Sequence, residues 1–313
     1  MCGVDTTDTP LTTRLAGMTL RGPLVLSSGV MGLSAASLKR IAEAGAGAVT
    51  SKSCGLTERM GHKNPVIVPF AHGILNAVGL SNPGVEDMSR EITQYKRETG
   101  VPLIASIFGT TIEEFGVVAE HVLSAKPDMV EVNVSCPNVA AEFGRPFGAD
   151  PEACGRITRL IKEKAGKTPV TMKLTASCDS ISRMARVCED NGADAITLIN
   201  SIGPGMLIDL NVRRPLLSNR SGGVSGACVL PIAIRCVYDV FRVVKIPLIG
   251  GGGVETAEDA LQLIMAGATA IGIASGLYKG GIEVFDTINR EIANFLKEKG
   301  VMKLSDLRGV AHE

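Results

Sequence analysis

The chain of 313 residues has no tryptophan, only three tyrosines and four histidines, and its 32 basic residues are matched by 32 acidic ones. Binding a nucleic-acid backbone or an anionic membrane needs unbalanced positive charge, and gripping single strands needs aromatic faces for stacking. The composition supplies no excess positive charge and only 4% aromatic residues, which argues against nucleic-acid and membrane-surface partners. No run of about 18 apolar residues long enough to span a bilayer occurs, and residues 1–13 lack the charged-then-apolar order of a secretory signal. A cytoplasmic location is expected. The eight cysteines, at positions 2, 54, 136, 154, 178, 188, 228 and 236, include no Cys-x-x-Cys pair and no histidine at ligand spacing. No metal site is therefore indicated, and most of these cysteines read as small, reduced core residues.

What the chain does have is 45% apolar residues arranged as short β-rich runs alternating with amphipathic stretches. That alternation is the pattern of βα units around a parallel sheet. Eight such runs are present: Leu24–Ser27, Ala48–Lys52, Pro102–Ser106, Met129–Val134, Val170–Leu174, Ala195–Asn200, Pro247–Gly250 and Ala270–Ala274. Most are almost continuously apolar, as strands covered on both faces must be. Helix starts are marked by Asp150-Pro151 and by a capping box of Thr111 with Glu114. Helix-to-strand links such as Ala44-Gly45-Ala46-Gly47 are very short, whereas three strand-to-helix links, 53–84, 134–149 and 201–226, are long. The predicted fold is α/β, one (β/α)8 TIM barrel spanning residues 1–313, with elaborated loops on the carboxyl face where such barrels place active sites. A doubly wound sheet is the alternative, but its Gly-x-Gly-x-x-Gly turn should follow an early strand. Here the run Gly250-Gly251-Gly252-Gly253-Val254-Glu255 comes near the end and lacks the final glycine.

Polar residues end these strands in turn: Ser27 and Ser28, Lys52, Ser106, Asn133, Lys173 and Asn200. Any one of them could cap exposed backbone, but seven together, two of them lysines in an apolar interior, indicate a shared cavity, and a buried ammonium needs an anionic or strongly accepting partner. Gly252 and Gly253 after strand seven, with Ala274-Ser275-Gly276 after strand eight, let backbone N–H groups approach a phosphate unobstructed. Two phosphate-bearing cofactors fit at this point. Pyridoxal phosphate would take Lys173 as imine partner. A flavin mononucleotide would take a lysine near its pyrimidine edge to stabilise the charge arriving on reduction.

The loop after strand four begins Asn133-Val134-Ser135-Cys136-Pro137-Asn138, a thiol between carboxamides at the cavity mouth, followed by Phe143-Gly144-Arg145-Pro146-Phe147-Gly148, suited to a lid. With these motifs the sequence resembles the dihydroorotate dehydrogenases, most closely class 1B, whose catalytic subunit works with a separate electron-transfer subunit. The likeness spans almost the whole chain. It rests on Ser27-Ser28-Gly29, Thr50-Ser51-Lys52, the stretch from Asn76 to Gly84, Asn133 to Asn138, Lys173-Leu174, Thr197-Leu198-Ile199-Asn200, Ile208-Asp209, Gly222-Gly223-Val224-Ser225-Gly226 and the glycines at 250–253.

The resemblance implies flavin mononucleotide (FMN) as cofactor and oxidation of (S)-dihydroorotate to orotate in pyrimidine biosynthesis. It assigns Cys136 as the base that removes the C5 proton while a hydride leaves C6 for flavin N5. It places Lys52, Asn76, Val78, Gly79, Leu80, Asn133, Asn138, Asn200 and Ser201 around the substrate. Around the flavin it places Ser28, Lys52, Ser53, Ser106, Asn133, Lys173, Ile199, Gly226, Gly252, Gly253, Ala274 and Ser275. The chain itself has neither iron–sulfur cysteine spacing nor a dinucleotide fingerprint. Segments 207–216 and 304–309 resemble the subclass whose partner carries FAD and a [2Fe–2S] cluster and passes electrons to NAD, with a homodimer of catalytic subunits at its centre. Fumarate as direct acceptor is the alternative, as are a related dihydropyrimidine substrate, a lysine-imine enzyme and a catalytically silent binding protein.

Overall fold

Eight short parallel strands close on themselves in chain order. They are β1 (Leu24–Leu26), β2 (Ala48–Thr50), β3 (Leu103–Ile107), β4 (Met129–Asn133), β5 (Val170–Lys173), β6 (Ala195–Leu198), β7 (Leu248–Gly251) and β8 (Ala270–Ile273). The computed structural model describes residues 8–135 and 147–312. Each strand lies within about a residue or two of its expected place at either end. Helices follow each strand: α1 (Ala35–Glu43), α2 (Val85–Glu98), α3 (Ile112–Ser124), α4 (Pro151–Ala165), α5 (Ile181–Asp190), α6 (Leu230–Phe241), α7 (Ala257–Met265) and α8 (Val284–Lys299). Among the described residues no helix is long and apolar enough to cross a membrane.

Strand periodicity divides the barrel's two faces. Leu24, Leu26, Leu103, Ala105, Val130, Val132, Ile196 and Leu198 pack outward against the helices in the main core, together with Phe115, Ile157 and Phe285. Their neighbours Val25, Ala48, Ile104, Met129, Ala195, Ile249 and Ala270 point inward and fill the lower barrel. The bottom is closed by a hairpin absent from the sequence reading, Thr13–Leu15 paired antiparallel with Met18–Leu20, which inserts Leu15 and Leu20 into that inner layer. Its two-residue turn, Ala16-Gly17, has φ of 45° and 84°, the left-handed pair that a tight hairpin requires.

Helix starts follow the side-chain signals. The Asp150 carboxylate accepts from the backbone N–H of Glu152 and Ala153, with Pro151 at the first helical position. Thr111 caps α3 through the Glu114 N–H, as expected. The box does not close, however: the Glu114 carboxylate turns one residue further back, to the Thr110 N–H at 2.8 Å and to the Thr110 hydroxyl.

Two of the three long loops carry structure that their length alone did not reveal. Residues 67–76 form an antiparallel hairpin, Ile67–Phe70 with Gly73–Asn76. The loop after β6 contributes Ile202–Gly205 and Gly222–Ser225, and the four strands join in one sheet above the barrel. Gly222 permits this: a Cβ there would lie 2.2 Å from the Asn76 carbonyl oxygen. Leu75, Ala77 and Leu217 give the canopy a small core of its own. The third loop returns at Phe147, expected in a lid. Phe147 instead packs edge-on against Phe115 of α3, with ring centroids 5.8 Å apart, so it anchors the loop's end to the outer core.

Four of the expected core cysteines, Cys54, Cys154, Cys188 and Cys236, are buried and reduced, and burial pushes the Cys54 thiol up to about 12. Leu20 is fully buried beneath the barrel. Leu20→Ala is expected to lower stability by about 2–5 kcal/mol through the cavity it leaves, measured by denaturant unfolding with no change in the chemistry of the distant upper end.

Candidate active site

At the carboxyl end of the barrel, β1, β2 and β4 to β8 surround a cavity of about 540 Å3 roofed in part by Ile67, Ile74 and Asn76 of the canopy. The walls change character with height. Above the apolar lower layer, the inward positions of β3, β4, β5 and β6 carry Ser106, Glu131, Thr171 and Thr197, all buried. The next inward turn brings Asn133 and Lys173 to the cavity floor.

Lys173 is the charged centre of this floor. Its Nζ donates to Ser28 Oγ at 2.7 Å and lies 3.7 Å from Glu131 Oε1, with side-chain exposures of 7% for the lysine and 3% for the glutamate. At that depth neither charge is tolerable without the other. The sequence alone requires an anionic or strongly accepting partner for this ammonium without naming one. The fold supplies Glu131, which no motif singled out. The signal was available: strand side chains alternate, so once Asn133 is placed in the cavity, Glu131 two residues earlier must share its face.

A chain of hydrogen bonds runs from this carboxylate to the other side of the cavity. Ser106 Oγ donates to Glu131 Oε1 at 2.9 Å and lies 2.8 Å from Ser53 Oγ, which accepts from Asn133 Nδ2 at 3.2 Å. Asn133 Oδ1 accepts from the backbone N–H and the hydroxyl of Ser135, and Ser135 Oγ accepts from Asn200 Nδ2 at 3.0 Å. Asn200 Oδ1 in turn accepts from the Ser201 N–H at 2.8 Å. Backbone N–H groups only donate, so the Ser135 and Ser201 amides fix which end of each carboxamide is oxygen. Each Nδ2 therefore keeps a second N–H for the cavity.

The opposite end is shaped by glycine. Gly252 and Gly253 leave β7 with φ of 129° and 83°, open to backbone approach, and a Cβ on Gly253 would lie 2.6 Å from the Gly226 carbonyl oxygen. Ala274, Ser275 and Tyr278 complete this rim. Leu80 and Met31 also line the cavity with positive φ of 56° and 54°, a conformation uncommon outside glycine and typical of functional loops.

The family model for dihydroorotate dehydrogenase matches residues 10–296. The chain belongs to the dihydroorotate dehydrogenase family. It is 44% identical over 303 residues to the "dihydroorotate dehydrogenase B (NAD(+)), catalytic subunit" of Methanothermobacter thermautotrophicus, covering 97% of this chain and 99% of that one. It is 45% identical over 302 residues to the protein of the same name from Methanocella arvoryzae, covering 96% and 98%. A solved dihydroorotate dehydrogenase from Eimeria tenella, crystallised with ferulenol, superposes with a TM-score of 0.84 at 18% identity, covering 99% of this chain and 91% of that one, which shows the shared fold.

Of the residues carried over from the dihydroorotate dehydrogenase family, Ser28, Lys52, Ser53, Asn76, Val78, Gly79, Leu80, Asn133, Lys173, Ile199, Asn200, Ser201, Gly252, Gly253, Ala274 and Ser275 line this one cavity. Two stand behind its wall. Ser106 is fully buried between Ser53 and Glu131, and Gly226 backs Gly253 through its carbonyl oxygen. Cys136 and Asn138 lie outside the described residues. Sequence reasoning missed Glu131, Met31 and Tyr278, and named Thr197 within a motif without giving it a place at the site. Lys173→Ala would strand the Glu131 carboxylate without its ammonium. It is expected to lose about 3–5 kcal/mol of stability in urea unfolding, part of which Lys173→Ala combined with Glu131→Ala regains.

Proposed function

We propose that the chain is the catalytic subunit of an FMN-dependent dihydroorotate dehydrogenase, oxidising (S)-dihydroorotate to orotate in pyrimidine biosynthesis and handing electrons to a separate FAD/[2Fe–2S] subunit linked to NAD. The observation that carries this reading is one cavity with three distinct ends: a buried ammonium in its floor, a glycine rim with left-handed backbone, and carboxamides holding free N–H donors. A cavity of about 540 Å3 falls within the range of roughly 300–1,000 Å3 usual for cofactor sites.

The residues fit the group. Backbone N–H groups at Gly252, Gly253, Ala274 and Ser275 would hold the phosphate, and Lys173 would stand at the pyrimidine edge, where its charge favours the anionic reduced ring. FMN bound there supplies the two-electron acceptor that this oxidation requires. Lys52 and the backbone of Val78, Gly79 and Leu80 would receive the substrate carboxylate. Asn76, Asn133, Asn138 and Asn200, with Ser201, would orient its ring by its carbonyl and imide groups. Cys136 takes the proton from C5. A thiol ordinarily ionises near pH 8.5, within reach of a mildly alkaline optimum. The canopy sheet, which roofs part of the cavity, would limit the access of bulk water to it.

The reading is tested by anaerobic titration of the FMN-loaded protein with dihydroorotate, which is expected to bleach the flavin absorbance. Protein that cannot take up FMN, or whose flavin stays oxidised with dihydroorotate, contradicts it. Cys136→Ala is expected to retain FMN while slowing its reduction by dihydroorotate by about 10²- to 10⁴-fold, the usual contribution of a positioned base. An unchanged rate removes Cys136 from that role.

A further inference from the structure

We infer that Glu131 is a positioning residue, a buried carboxylate that directs the Ser106 and Ser53 protons beneath the cavity, keeps Ser53 an acceptor for Asn133, and so reinforces the placement of Asn133 and Asn200 as donors toward the ligand that the Ser135 and Ser201 backbone N–H groups also favour. The inference rests on the proposed flavin and dihydroorotate site and deepens it.

What each group can donate or accept sets the direction of the chain. An ionised carboxylate only accepts. Because Ser106 spends its one proton on Glu131, at 2.9 Å, its oxygen must receive the Ser53 proton across 2.8 Å. Ser53 has then no proton left for Asn133 and must accept from Nδ2. The same orientation of Asn133 is imposed from the far end, where the Ser135 backbone N–H points at Oδ1. Two independent constraints thus agree, and each link in the series Asn200, Ser135, Asn133, Ser53, Ser106 donates in the direction of Glu131. The remaining N–H of each carboxamide selects an acceptor, a ring carbonyl or a carboxylate, at that wall.

Glu131 also faces Lys173 at 3.7 Å. One side chain therefore serves both ends of the cavity: its charge offsets the ammonium proposed to stand by the flavin, and its lone pairs orient the carboxamides proposed to hold the substrate. Buried networks of this kind stay aligned only while every member is satisfied.

Two variants separate these effects. Glu131→Gln keeps the shape but brings an amide N–H that can donate to Ser106, so the chain loses its single direction. Orotate is expected to bind about tenfold more weakly, the worth of one misdirected neutral hydrogen bond. The midpoint potential of the bound FMN is expected to move to a more positive value, since the anion beside Lys173 is gone. Ser106→Ala cuts the chain one link away and leaves the Glu131–Lys173 pair intact. It is expected to weaken orotate by a similar factor while the potential stays at the parent value. A merely structural role lowers the melting temperature of both without this split. Orotate affinities equal to the parent in both variants overturn the inference, and Ser106→Ala alone decides it if Glu131→Gln does not fold. A parent protein that binds neither FMN nor orotate defeats the functional reading instead, a separate result visible before any variant is made.

Discussion

A barrel interior accepts charge only in compensated form, and here that compensation is the contact between Lys173 on β5 and Glu131 on β4. The two strands are neighbours in parallel register, with Glu131 opposite Thr171 and Asn133 opposite Lys173. The lysine is therefore reached diagonally from one step lower in the barrel. This lets the ammonium face upward into the cavity while the carboxylate stays beneath it, bound by Ser106. The other polar groups of the floor follow from that arrangement. Ser28 accepts from the ammonium, and Ser106, Ser53 and Asn133 fall into line behind the carboxylate.

The apolar half of the molecule makes this polar half affordable. Inward residues of the lower barrel, sealed by Leu15 and Leu20, keep water from reaching the pair from below. From above, strands donated by two loops cover part of the mouth. The glycines at 222 and 223 are needed because their strand lies directly on the neighbouring canopy residue Asn76 and on Ser201: a Cβ at Gly223 would meet Ser201 Oγ at 2.2 Å. The canopy thus contains one of the residues proposed to hold substrate and touches another, so its packing and the geometry of the site are one problem.

The eight strands, the helix caps at Asp150 and Thr111 and the carboxyl-face site were legible because each depends on local signals: continuous apolar runs, N-cap chemistry and loop-length asymmetry. The hairpin at Thr13–Leu20 was not, since its strands are three residues each and its reward is tertiary, the plugging of the barrel floor. The canopy escaped for a similar reason, its strands pairing across about 150 residues of sequence, Gly223 with Asn76. Glu114 shows the limit of a motif: the right residue three positions on, yet bonded one residue beyond the expected donor. Ser106 and Glu131 show it in the site. The strand-end pattern put Ser106 among the cavity groups and the resemblance put it beside the flavin; in the barrel its hydroxyl meets Glu131 behind the cavity wall, and Glu131 itself carried no mark between Val130 and Val132.

The most direct test of the whole account is a crystal structure of the protein with FMN and orotate bound. The account predicts the phosphate on the Gly252–Gly253 backbone, the pyrimidine edge of the flavin within hydrogen-bond distance of Lys173 Nζ, and ligand acceptor atoms facing Asn133 Nδ2 and Asn200 Nδ2. A flavin ring turned away from Lys173, or ligand donors against those two nitrogens, contradicts it.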